Sequence, residues 1–222
     1  DPLYAPQSKE DSDIFNRFVL AGYKLVQTWE GFVYHMTCRG SRFADGAKRN
    51  PDGEVFMKNR ETDEWLKQNH KSTRNFIRKW GHFVKHDTLM KPIIPPKYDI
   101  GFVIENCNYE TLYELEPWCS TIYVDIPLVE PYIKQEQSNT LFDLKGRVQD
   151  IGRVIHETGY KHDIELWFDA KKFTPQHMNY IAQLSEILAN DELEVGEFEL
   201  DIFKVTITKI KTYEEELIKC ER

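Results

Sequence analysis

Glu10-Asp11-Ser12-Asp13 stands directly before an apolar-periodic stretch, and His35 follows the apolar run Gly31-Phe32-Val33-Tyr34. A carboxylate fixed at the N-terminus of a rigid helix can serve as a general base that takes the proton of an acceptor hydroxyl. A histidine at the end of a neighbouring strand is a ligand for a divalent cation, and such a cation can neutralise a leaving diphosphate. The same residues also have a simpler reading. Asp11, Ser12 or Asp13 can accept hydrogen bonds from the first unpaired helix amides, and negative charge suits the positive end of the helix dipole.

Periodicity supplies the elements that would position these groups. Residues 14–21 read as a helix with Ile14, Phe15, Phe18, Val19 and Leu20 on one side, closed by Gly22. Residues 23–28 and 31–36 read as strands, and the glycine- and charge-rich stretch that follows reads as a loop. From Asp63 to about Lys85, Trp65, Leu66, Phe76, Ile77, Trp80 and Phe83 recur at helical spacing, interrupted near Gly81. Pro92, Pro95 and Pro96 then make a stiff extended connector. Beyond it the pattern predicts strands at 98–106, 120–126 and 163–169, a short helix at 108–118, and a hairpin through 196–210. A helix at 174–191 starts at Thr174-Pro175, with Met178, Ile181, Leu184, Ile187 and Leu188 as its buried stripe.

The chain has 222 residues, 41% hydrophobic and 30% charged, the balance of a globular protein able to bury a core. Its net charge of −8 argues against binding nucleic acid by neutralising its backbone. Cys38, Cys107, Cys119 and Cys220 are widely spaced without a C-x-x-C pair. That spacing fits reduced thiols and a cytoplasmic location better than a disulfide framework. No apolar run reaches the length of a membrane span, and no charged-then-apolar leader opens the sequence.

The stretch EDSDIFNRFVLAGYKLVQTWEGFVYHMTCRG resembles the C-terminal half of a GT-A-fold nucleotide-sugar glycosyltransferase of the glycosyltransferase family 2 kind. In such enzymes an E-D pair opens a helix ending R…AGY, a strand follows, and a V-Y-H segment closes the catalytic core. The wording EDSDIFNR is also similar to the beta-1,4-galactosyltransferases, and NFIRKWG at 75–81 resembles the segment that follows the core in many family 2 enzymes. The resemblance covers residues 8–45 well and 65–81 loosely.

It implies Asp11 as catalytic base, with Glu10 supporting it or orienting the acceptor. It also implies His35 as a ligand to Mn2+ or Mg2+ beside the nucleotide diphosphate. Arg39 and Arg42 would meet phosphate oxygens, which guanidinium donors match bidentately. Tyr4 would stack on an acceptor sugar. Asp11-Ser12-Asp13 spells D-x-D, but the family's metal motif lies at a strand end well before the E-D helix, so this is not that motif. The donor-binding half that carries it is expected outside this sequence, which makes the chain alone an inactive fragment.

The expected architecture is therefore α/β (mixed α+β). Residues 1–92 form the partial GT-A-like portion with trailing helices, 93–97 the connector, and 98–222 a separate small α/β domain. The implied reaction is inverting, metal-dependent sugar transfer from a nucleotide-sugar donor to a glycan acceptor. The alternative is a non-catalytic carbohydrate- or protein-binding module. Weaker signals are His82 and His86 with Asp87, a possible metal pair if helical. Asp125, Glu165 and Asp169 lie near strand ends in a domain whose first strand-to-helix turn has no glycine-rich phosphate cradle.

Overall fold

The computed structural model describes residues 1–31, 63–155, 161–189 and 194–219. The expected strand at 31–36, together with His35, Arg39 and Arg42, lies outside them apart from Gly31. The fold is mixed α/β. A six-stranded sheet in the order β3-β2-β1-β4-β6-β5 is built from β1 (Ile100–Glu105), β2 (Thr121–Val124), β3 (Val148–Asp150), β4 (Ile164–Asp169), β5 (Gly196–Leu200) and β6 (Phe203–Ile207). The first four strands are parallel, and β6 and β5 add an antiparallel hairpin beside β4.

β1 lies in the middle of the parallel part and is buried on both faces, which is why IGFVIE reads as a nearly unbroken apolar run. Its register places Phe102 beside Ile122 and Leu166, and Ile104 beside Phe168, on the face that carries the main core. Val103, Tyr123 and Trp167 line up on the other face over Ile151 and Val154. Gly101 shares that second face, where a Cβ would lie 2.4 Å from Cδ2 of His162. Glycine is required there because the imidazole rests on the strand backbone. β5, at the edge, exposes Glu197 and Glu199, charges that discourage pairing with another sheet.

Among the described residues the helices in chain order are α1 (Glu10–Leu20), α2 (Asp63–Trp80), α3 (Tyr109–Leu115), α4 (Ile126–Glu136), α5 (Leu144–Arg147), α6 (Gly152–Ile155), α7 (Pro175–Ala182), α8 (Leu184–Leu188) and α9 (Glu214–Leu217). Several local expectations change. Residues 23–28 form no strand. The 174–191 helix is two helices that break at Gln183. The 63–85 helix stops at Trp80, where Gly81 takes φ +78°, a conformation that favours glycine.

α2 packs against the sheet domain through Ile77, which belongs to the main core. The adjacent side of α2 meets the chain start and the last helix, where Leu3, Tyr4, Phe76, Trp80 and Leu217 form a second cluster. Arg17 Nε donates to the carbonyl of Ile218 at 2.7 Å, closing the same contact from α1. The segments on either side of the proline connector are therefore packed together through α2.

Buried charge fixes that packing. Arg78 donates to Glu116 Oε2 through Nε at 2.9 Å and Nη2 at 2.6 Å, and to Glu136 Oε1 through Nη2 at 2.7 Å. Arg74 Nε donates to Glu136 Oε1 at 3.0 Å and its Nη2 to Tyr132 Oη at 2.8 Å, while Arg147 Nε reaches Glu116 Oε1 at 2.8 Å. Burial alone would raise the Glu116 pKa, but the charges and hydrogen bonds of Arg147 and Arg78 outweigh it and pull it down to about 2.

Candidate functional site

Helix α1 begins at Glu10, four residues earlier than the apolar period suggests, so Glu10, Asp11 and Asp13 lie inside its first turn. None of them caps it. The N-cap is Lys9, in the left-handed region at φ 76°, preceded by Ser8 at φ 80°. Such a conformation costs a non-glycine residue about 1–2 kcal/mol, and contacts to α2 hold it in place. Ser8 Oγ donates to Asn69 Oδ1 at 2.7 Å, Ser72 Oγ to the Gln7 carbonyl at 2.9 Å, and Gln68 Nε2 to the carbonyls of Ala5 and Gln7, each at 3.2 Å. The acids instead complement the helix dipole.

The three carboxylates then separate by environment. Asp13 is 1% exposed. Its Oδ1 accepts from Trp80 Nε1 at 2.9 Å and Tyr4 Oη at 3.1 Å, and pairs with Lys79 Nζ at 2.8 Å. Among the described residues its Oδ2 has no hydrogen-bond partner, and it faces Arg17 Nη1 at 3.9 Å. Asp13 is thus the anchor of α1 on α2. Asp11 and Glu10 are exposed.

Tyr4 corrects an expectation. Its ring is 1% exposed beside Phe76, and burial together with Asp13 pushes its hydroxyl pKa far up, so it has no face to offer a sugar.

The apolar stripe of α1 also faces an unexpected way. Ile14, Phe15, Phe18 and Val19 are 36–48% exposed, while Asp13 and Asn16 are buried. Asp11 and Phe15 form one wall of a cleft of about 700 Å³. Residues 24–27 form a second wall and the loop 84–92 a third, the latter contributing His86, Leu89 and Met90. The loop is closed by a bridge between His86 and Pro92 and by Asp87 Oδ1, which accepts from the amides of Leu89 at 2.8 Å and Lys91 at 2.9 Å. Gln27 Nε2 donates to the Leu89 carbonyl at 3.0 Å and ties the two walls together. The arrangement is a largely apolar trough with one exposed carboxylate on a fixed helix end and Lys24, Lys85 and Lys91 on the other two walls, with room for a hydroxylated ligand beside a base.

His82 and His86 do not share a helix face, because α2 has ended before them. His82 is 1% exposed, its Nδ1 donates to the Phe83 carbonyl at 2.6 Å, and its buried Nε2 has no partner among the described residues. Burial pushes its pKa down to about 4. The unfolded chain therefore takes up this proton near pH 6.5 while the folded chain does not, so stability falls as pH drops through that window. Lowering the pH from 7 to 5 should cost about 2 kcal/mol through this group. Urea melts of wild type and His82→Gln at both pH values check this: the pH-dependent loss should be smaller in the variant by that amount.

Among the described residues no group of three or more His, Cys, Asp or Glu could hold a metal ion. Asp125 and Asp169 end at the carboxyl edge of the sheet, whereas Glu165 is 1% exposed and accepts from Lys161 N at 2.7 Å and Trp167 Nε1 at 3.3 Å. Of the helical aromatics, Phe76 and Trp80 are core, and Phe83 packs edge-on against Trp118. The buried partners of α2, Glu116 and Glu136, and Arg147, which shares Glu116, carried no sequence signal. Arg74 and Arg78 did, being cations four apart on a helix side that also carries Ile77.

Comparison with family models, curated proteins and solved structures returned no match. Among the described residues no helix is long and apolar enough to cross a membrane.

Proposed function

We propose that this chain is part of a glycosyltransferase that moves a sugar from a nucleotide-sugar donor to a glycan acceptor, with Asp11 as the base that deprotonates the acceptor hydroxyl. The observation that carries this reading is the contrast between Asp11, exposed on the cleft wall, and Asp13, locked beneath it by Tyr4, Trp80 and Lys79. The buried carboxylate fixes the helix, and the exposed one stays free to accept a proton. Reaction is inverting in this proposal: the acceptor oxygen attacks the anomeric carbon, its proton passes to Asp11, and the nucleoside diphosphate departs. Glu10 lies beside Asp11 in the sequence and orients the acceptor.

A divalent cation would serve to neutralise the leaving diphosphate. The described residues supply no ligand set for it, and the proposed ligand His35 is not among them, so the roles assigned here run through Asp11 and the cleft. The exposed apolar face of α1 agrees with the proposal, being a surface that an adjoining nucleotide-binding half would cover.

Calorimetry of the chain with candidate acceptor glycans tests the reading. Binding should occur without nucleotide. Phe15→Glu, which charges an exposed cleft wall without disturbing the core, should weaken it at least about tenfold, the effect of losing ~1.4 kcal/mol. Binding unaffected by Phe15→Glu would place the acceptor elsewhere and remove the support the cleft lends to Asp11.

A further inference from the structure

A second cavity, of about 310 Å³, lies at the amino edge of the sheet, away from Asp11. Its walls are the end of α2 with Arg78, residues 97–99 leading into β1, Ser120 ahead of β2, Arg147 at the end of α5, and Tyr213 with α9. Following the lining charges to their partners leaves two without an ion pair among the described residues, Lys97 and, at the exposed rim, Glu216. Lys79 is matched by Asp1 at 2.7 Å and Asp13 at 2.8 Å. Asp99 is taken by His162, whose Nδ1 lies 2.9 Å from Oδ1, and by a hydrogen bond from Ser120. Arg74, Arg78 and Arg147 share two carboxylates, Glu116 and Glu136. Lys97 makes no ion pair among the described residues.

Two groups on this wall have donors to spare. Lys97 Nζ donates to the Arg78 carbonyl at 3.2 Å, and its stem lies across Gly81, where an added Cβ would sit 3.3 Å from Cδ. That contact satisfies one carbonyl at the end of α2 and uses one of three N–H groups. Arg147 spends Nε on Glu116 Oε1 and Nη2 on the carbonyls of Glu116 at 3.0 Å and Cys119 at 2.6 Å. Its Nη1 donates to no described residue. Burial first, and then the charge of Arg147, pulls the Lys97 pKa down to about 8, against the weaker opposing effects of Cys119 and Asp99.

We propose that this cavity binds a phosphate group, held between Lys97 Nζ and Arg147 Nη1. A tetrahedral oxyanion supplies acceptor oxygens for the spare N–H groups of both side chains, and for Lys97 a counter-charge as well. The cavity is roomy enough for a phosphorylated small molecule as well as for free phosphate. The inference is independent of Asp11 and of the cleft, so it stands or fails separately from the transferase reading.

Calorimetry of the whole chain at pH 7 and constant ionic strength tests it, with inorganic phosphate in one arm and a hexose phosphate in the other, against chloride. One saturable site per chain is expected. Tighter binding of the hexose phosphate identifies a phosphorylated metabolite as the ligand, and equal binding identifies free phosphate. Lys97→Met keeps the stem over Gly81 and should weaken phosphate at least tenfold. Glu216→Lys changes only an exposed residue at the rim, so it folds whatever becomes of Lys97→Met, and should tighten phosphate at least threefold. Absence of saturable binding in both arms overturns the proposal, as does a folded Lys97→Met or Glu216→Lys that binds phosphate like wild type.

Discussion

Glu116→Gln should unfold this protein more readily by about 3–5 kcal/mol, the usual cost of removing one partner from a buried ion pair. Glu116 is completely buried and accepts from Arg78, Arg147 and Tyr132, with Arg74 Nη2 3.5 Å away. Glutamine keeps the volume and one acceptor oxygen but leaves three guanidinium groups facing the single carboxylate of Glu136. A urea midpoint well below that of wild type, with an unchanged m-value, is the expected result.

The pH profile gives a second check on the same group. Because the folded-state pKa is depressed to about 2, the stabilisation is present above about pH 4.5 and is lost as pH falls through that range toward 2. The variant should lack that acid limb. Since α2 joins the chain start to the sheet domain, its loss should release residues 1–20 together with the helix, which hydrogen exchange at the amides of α1 would report.

What could be read from the sequence followed from how locally each feature is determined. β1, β2, β4 and the β5–β6 hairpin declare themselves because buried parallel strands are continuous apolar runs and the hairpin alternates. β3 has three residues, too few for any period. α4 was hidden by Pro127 and Pro131, since a proline inside a helix reads as a break; Pro127 sits in the first turn, where no intrahelical donor is needed, and Pro131 lies farther inside.

The candidate site divides the same way. Asp11 stands out by its place before a periodic stretch, but nothing local distinguishes it from Asp13. Only the tertiary contacts of Tyr4, Lys79 and Trp80 decide which carboxylate is buried. The burial of Tyr4 and the outward turn of Phe15 and Phe18 were illegible for a related reason. α1 docks through polar groups, Asp13 and Asn16, so its hydrophobic period points away from its main contact.

The most direct test of the proposed chemistry is turnover by Asp11→Asn in the longer natural protein that would contain these residues together with a donor-binding half. Asparagine has nearly the same shape and preserves an oxygen, but it cannot take a proton at neutral pH. Asp11 is exposed and makes no cap, so the melting temperature should stay within a degree or so of wild type, as for surface substitutions generally. Loss of a general base lowers the rate about 10²–10⁴-fold. The expected result is a kcat reduced at least about a hundredfold, with nucleotide-sugar Kd unchanged and the acceptor still bound. Near-wild-type kcat in Asp11→Asn would contradict it and leave Glu10-Asp11 as charges that only complement the dipole of α1.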